Sequence, residues 1–166
     1  MSVFVSIDRR FWRMLNFRWQ RDPLSGSGTA LTGGRWNRPG QRALYLASDH
    51  ATAIAEFHQD VLKPGTLVAY DVDCPAIADL TNPTTLQALA IDPESLLMKW
   101  KRIVQIERAI PPGWVIAEQL LAAGVHGALV PSAQYDAGVN LVLWRWSGDP
   151  NGGARVAVID PDRDLS

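Results

Sequence analysis

Ala43-Leu44-Tyr45-Leu46-Ala47-Ser48-Asp49-His50-Ala51-Thr52-Ala53-Ile54-Ala55-Glu56-Phe57-His58 is the stretch on which the reading of the fold turns. Its first five residues are a short apolar and aromatic run, the pattern of a buried strand. Ser48 and Asp49 can each cap a helix, because a short oxygen-bearing side chain accepts a hydrogen bond from a free first-turn N–H. Apolar positions then recur at helical spacing and predict a helix from Asp49 to about Lys63, where Pro64-Gly65 ends it. Thr66 to Val72 alternates as a half-buried strand does.

Upstream, residues 11–17 read as a first strand. Between the two lies Ser25-Gly26-Ser27-Gly28-Thr29-Ala30-Leu31-Thr32-Gly33-Gly34-Arg35-Trp36-Asn37, whose four glycines predict a loop, since glycine in a helix or central strand costs backbone entropy. Downstream, residues 76–114 are irregular, with short helices near Thr84–Ala90 and Ser95–Arg102 and a break at Pro111-Pro112-Gly113. Val115 to Ala123 reads as a helix ending at Gly124. Gly127 to Val130 and Leu141 to Trp146 read as core strands, and Arg155 to Ile159 as an edge strand. Strands outnumber long helices and no βαβ alternation repeats. The expectation is an α+β fold with a mixed or antiparallel sheet core and flanking helices.

The length of 166 residues predicts a single domain over residues 1–166, and 47% hydrophobic with 20% charged residues is ordinary for a soluble globular chain. Lys+Arg 16 against Asp+Glu 17 argues against a basic nucleic-acid footprint. No apolar run reaches the roughly 18 residues of a membrane span. At the N-terminus the charges follow the apolar residues, the reverse of a signal peptide, so a cytoplasmic location is expected. One cysteine, Cys74, allows neither an internal disulfide nor a CxxC site. Seven tryptophans predict mostly core positions, with one or two at a pocket or partner surface.

Familiar catalytic signatures are missing. Leu31 stands where a dinucleotide fingerprint needs its third glycine, and GxxxxGK, HExxH and GxSxG do not occur. His50 and His58 are eight residues apart, not an i,i+4 metal pair, and no metal is expected. The glycine run can turn main-chain N–H groups toward phosphate and delivers Arg35 beside Trp36 and Asn37. A fork-shaped cation, a flat ring and an amide suit a nucleotide with an anionic linker; a plain surface loop is the alternative. Helical periodicity predicts that Ile54, Phe57, His58 and Val61 face the core, with Glu56 on the flank beside Ala53 and Asp60. Glu56 is then either a solvated carboxylate or a group that binds ribose and stabilises a cationic sugar. Tyr45 reads as a core tyrosine or a ring for a stacked base. Ser132, after Pro131, reads first as turn chemistry.

Gly33-Gly34-Arg35-Trp36-Asn37, Ala43-Leu44-Tyr45-Leu46-Ala47-Ser48, Ala55-Glu56, Pro131-Ser132 and Asn140-Leu141-Val142-Leu143, with Trp12-Arg13 ahead of them, together resemble the RES domain over about residues 10–147. That family is named for an arginine, a glutamate and a serine, which correspond here to Arg35, Glu56 and Ser132. The resemblance implies a fold like that of ADP-ribosyltransferase toxins and NAD as substrate. It also implies a toxin of a bacterial toxin–antitoxin pair, neutralised by an Xre-like helix-turn-helix antitoxin. Arg35, Tyr45 and Glu56 are the expected catalytic residues. Arg13, Gly34, Arg35, Trp36, Asn37, Tyr45, Ser132 and Asn140 are the expected NAD-binding residues. Within this reading Arg35 and Arg13 take the pyrophosphate or an adjacent ribose, and Tyr45 stacks on nicotinamide. Glu56 stabilises the developing cation or activates the acceptor. Ser132 and Asn140 hold ribose, phosphate or carboxamide.

Family members either degrade NAD by phosphorolysis or hydrolysis or transfer ADP-ribose to a cellular protein. Transfer to a target protein is the leading expectation, and a phosphorylase or glycohydrolase that depletes NAD is the alternative. A reading of another class is a non-catalytic module that inhibits a partner by binding it. Neither nucleic acid nor membrane is an expected partner.

Overall fold

The computed structural model describes residues 2–59 and 61–165. Asp60, expected on the flank beside Glu56, lies outside them. The expected α+β architecture is present: a six-stranded sheet with helices packed on it.

Two long strands form its spine. β1 (Phe4–Leu15) runs antiparallel to β3 (Thr66–Asp79), from Phe4 opposite Ala78 to Leu15 opposite Thr66, with an irregularity between Val5 and Ile7. β2 (Leu44–Ala47) is antiparallel to β5 (Val139–Leu143) and touches β1 where Trp12 faces Ala47. β4 (Gly127–Pro131) is antiparallel to β5 and parallel to the last residues of β3, and β6 (Arg155–Val158) borders the middle of β3. Pairings thus run β1-β2-β5-β4-β3 and back to β1, closing five strands into a ring.

Side chains alternate between the two faces of a strand, and here each face has its own core. Phe11, Leu15, Leu44, Leu46, Val68, Tyr70, Val72, Cys74, Leu141 and Leu143 fill the inside of the ring. The outer face, with Ala43, Ala128, Val130, Val142 and Trp144, is covered by Leu86, Leu96, Ile116, Ala117 and Leu120 from the helical layer. That layer comprises α3 (Pro83–Ala88), a 3-10 turn (Pro93–Leu97), α4 (Trp100–Gln105) and α5 (Pro112–Ala122).

Four local expectations are corrected. The glycine run holds a short helix, α1 (Ser27–Thr32), which ends where Gly33 takes a φ of 73°. α2 (His50–His58) is capped by the Asp49 carboxylate on the Thr52 N–H, as expected, yet stops well before Lys63. Gln59, at φ 47°, turns the chain there, and Gly65 leaves room for the Phe57 ring. The inward residues of α2 are Thr52 and Ala53, whereas Ile54 and Val61 are exposed. α5 begins at Pro112 rather than after a break, because proline is tolerated at the first helical position where its missing N–H has no intrahelical partner.

Candidate active site

The segment carrying Arg35 is fixed mainly by its own backbone and by three indoles from distant sequence. Gly33 N–H donates to the Thr29 carbonyl and Gly34 N–H to the Asn37 carbonyl, both at 2.8 Å. Trp114 Nε1 donates to the Gly34 carbonyl at 2.8 Å, Trp144 Nε1 to Trp36 at 2.9 Å, and Trp146 Nε1 to Leu24 at 2.9 Å. A Cβ on Gly113, in the first turn of α5, would lie 2.1 Å from the Arg35 carbonyl, so only glycine lets the helix approach this loop. Sequence gave no local signal for these contacts, since Trp114 lies 80 and Trp144 108 positions from the residues they hold.

Tyr45 fastens the same loop from below. Its hydroxyl accepts from the Trp36 N–H at 3.0 Å and donates to Asn37 Oδ1 at 2.6 Å. Burial pushes the phenol's pKa up, so it stays protonated and can be that donor. Gly34 lies against the hydroxyl end of the ring: a Cβ there would come within 2.7 Å of the Tyr45 oxygen. Asn37 is buried and its amide also donates to the carbonyls of Thr29 and Gln41. Trp36 is buried in the outer core. The structure therefore gives the side chains of Trp36 and Asn37 to the scaffold, and occupies the Gly34 N–H within the turn.

Glu56 leaves α2 toward the ends of β4 and β5. Its Oε1 accepts from Ser132 Oγ at 2.6 Å and from Asn140 Nδ2 at 2.7 Å, so residues 76 and 84 positions away orient one carboxylate. Ser132 Oγ is itself held by the N–H groups of Gln134 and Tyr135, each at 3.1 Å. The serine hydroxyl thus donates to the carboxylate while accepting from two main-chain N–H groups, which ties Glu56 to the turn after β4. Both bonds fall on Oε1, and Oε2 takes neither.

Arg35 stands within electrostatic reach of Glu56 and Tyr45 without forming an ion pair with Glu56. Burial lowers the guanidinium's pKa, and the Glu56 charge opposes that shift. Its one hydrogen bond among the described residues goes to the Met98 carbonyl, a neutral acceptor. An arginine beside a buried phenol and an oriented carboxylate, with the two charges left apart, is an arrangement open to a ligand that carries negative charge at one end and gains positive charge at the other.

Arg35, Tyr45, Glu56, Ser132 and Asn140 thus come together on the outer side of the ring. Arg13 does not join them. Trp12 pairs with Ala47, and Ala47 with Asn140, so Trp12 shares their face while alternation turns Arg13 to the other. There the Arg13 guanidinium lies beside Tyr70, whose hydroxyl donates to the Pro23 carbonyl at 2.9 Å. Burial lowers the pKa of Arg13 and pushes that of Tyr70 up to about 12. His50 stacks edge-on against Trp12 with ring centroids 4.9 Å apart, and His58 Nε2 lies 3.0 Å from the Lys63 carbonyl. Among the described residues no group of three His, Cys, Asp or Glu side chains is placed to hold a metal ion.

A mixed-sheet α+β fold whose arginine, glutamate and serine meet in this way defines a class, and the sequence pattern of that class, the RES domain, matches residues 10–166. The chain belongs to the RES domain family. A stretch of 48 residues is 44% identical to the Prs ADP-ribosylating toxin of Sphingobium sp. (strain YBL2), spanning 28% of this chain and 30% of that protein. In fold, the chain is similar to one in the crystal structure of the M. tuberculosis MbcT–MbcA toxin–antitoxin complex. That likeness has a TM-score of 0.60 at 21% identity and covers 95% of this chain and 87% of the other.

Proposed function

We propose that this protein is a toxin that cleaves the nicotinamide–ribose bond of NAD and transfers ADP-ribose to a target protein. The observation that carries the reading is the pair of opposite charges, Arg35 and Glu56, held apart while Ser132 and Asn140 fix the carboxylate. In the reaction the C1–nitrogen bond of the ribose breaks and its electron pair leaves on nicotinamide, which becomes neutral without being protonated. The sugar passes through an oxocarbenium-like state, as in glycoside hydrolysis. Arg35 binds the pyrophosphate, for which a bidentate fork is suited. Glu56 stabilises the cationic C1 or takes the proton of the attacking side chain. Tyr45 holds the loop that presents Arg35.

The name of the Sphingobium relative supports a protein acceptor, and the toxin–antitoxin neighbour supports control by an antitoxin, which we propose is of the Xre-like helix-turn-helix kind. The test is NAD binding and nicotinamide release by purified protein without added metal. Arg35→Ala abolishes both under this reading, and Arg35→Lys stays weak because an ammonium cannot reproduce the fork. Full activity in Arg35→Ala rejects the assignment.

A further inference from the structure

Residues 97–110, Leu97-Met98-Lys99-Trp100-Lys101-Arg102-Ile103-Val104-Gln105-Ile106-Glu107-Arg108-Ala109-Ile110, form an arm joined to the site through the Met98 carbonyl that holds Arg35. Its exposure is high for its composition. Ile103 is buried and Trp100 and Val104 are half-buried, but Leu97, Met98, Ile106 and Ile110 are exposed, Ile106 at 73%. Leu97, Met98, Ile106 and Ile110 leave apolar surface in water along one short segment, surface that a partner would remove from water.

The charge of the arm is equally one-sided. Lys99, Lys101, Arg102 and Arg108 stand against the single carboxylate of Glu107, in a chain whose formal net charge is −1. Arg102 and Glu107 pair with each other at 3.7 Å. Lys99, Lys101 and Arg108 enter no ion pair among the described residues. A basic strip with aliphatic side chains between its charges is complementary to a protein surface bearing both carboxylates and apolar groups. Single-stranded nucleic acid would call instead for exposed stacking rings, and the arm's one ring, Trp100, is half-buried.

We infer that this arm docks the protein that accepts ADP-ribose, by an acidic surface carrying apolar side chains, which sets that protein against the cleft edge beside Arg35. The inference rests on the transfer reading above. Steering by unpaired cations raises the encounter rate and makes it fall with salt. Docking therefore affects transfer to protein and leaves NAD cleavage by water untouched.

The experiment uses NAD labelled in its adenine, with bacterial lysate and purified Prs, the protein in the Sphingobium relative's name, as acceptors. It compares wild type with the variants Lys99→Glu/Lys101→Glu and Arg108→Glu. Melting curves check folding, and Lys99→Gln/Lys101→Gln serves as a milder control. The expected result is at least a tenfold loss of protein labelling, with NAD loss in the absence of protein within twofold of wild type. At saturating NAD, added salt should lower wild-type labelling more than it lowers NAD loss. Unchanged labelling in both variants overturns the inference. So does labelling that persists while inhibition by the antitoxin is lost, which makes the arm the antitoxin's surface. NAD loss without any labelled protein overturns the protein acceptor, and absence of NAD loss in wild type overturns the catalytic reading itself.

Discussion

Tyr45 was legible in the sequence as a tyrosine inside an aliphatic strand, but its task was not. The hydroxyl's two partners, Trp36 and Asn37, lie on a loop whose path depends on contacts made far along the chain. Removing that oxygen in Tyr45→Phe leaves the Trp36 N–H and Asn37 Oδ1 without their partner. The expected cost is about 1–3 kcal/mol, read as a shifted denaturation midpoint, together with weaker NAD binding as the Arg35 loop loosens. Glu56 shows the same limit. Periodicity predicts a flank position, but with Thr52 and Ala53 turned inward Glu56 lies on the same side one turn after Thr52, and nothing local announces that Ser132 and Asn140 will meet it. Thr52, one turn before Glu56, gives the opposite expectation for a buried hydroxyl. Its Oγ1 is fully enclosed and has no hydrogen-bond partner among the described residues. Thr52→Val keeps the shape and removes an unsatisfied group, so its melting temperature should equal or exceed that of wild type. A marked loss of stability would show that the hydroxyl has a partner after all.

Among the elements, those set by local chemistry were readable: the Asp49 cap, the strands at Leu44–Ala47 and Gly127–Pro131, and the end of α5 near Gly124, whose φ is 87°. Elements set by neighbours were not. α1 forms within a glycine run because Thr29 anchors it, its hydroxyl donating to the Ala43 carbonyl at 2.7 Å and its carbonyl receiving the Asn37 amide. The first strand, expected at residues 11–17, instead covers Phe4–Leu15, because its first residues pair with the far end of β3. Gly113 ties an element to the site directly. Gly113→Ala forces α5 and the Arg35 carbonyl apart, at an expected cost of about 1–3 kcal/mol for overpacking. The diagnostic result is a loss of NAD affinity that persists at temperatures where circular dichroism shows the variant folded. Unaltered affinity would mean that the loop accommodates the helix shift without moving Arg35.

Across the whole molecule, the α+β class could be read from the spacing of strands and helices, whereas the closure of five strands into a ring could not. Closure depends on which strands pair, and the pairing of β1 with β3 joins segments separated by the loop, β2 and α2. The ring also decides that Arg13 and Tyr70 share its interior, and this gives stability a pH dependence. Burial raises the folded-state pKa of Tyr70 to about 12, above its ordinary 10.0, and shifts Tyr45 in the same direction. The unfolded chain therefore releases these protons first. Stability is complete below about pH 10 and falls as pH rises toward 12, a slope that Tyr70→Phe reduces. Denaturation midpoints across that range measure it. The central claim, that the carboxylate fixed by Ser132 and Asn140 does chemistry on NAD, is tested most directly by nicotinamide release from Glu56→Gln beside its melting curve. Glutamine keeps the volume and an oxygen for both bonds but removes the charge, so turnover should fall about a hundredfold or more with the melting temperature close to wild type. Turnover equal to that of wild type, in a variant that folds as well, would contradict it.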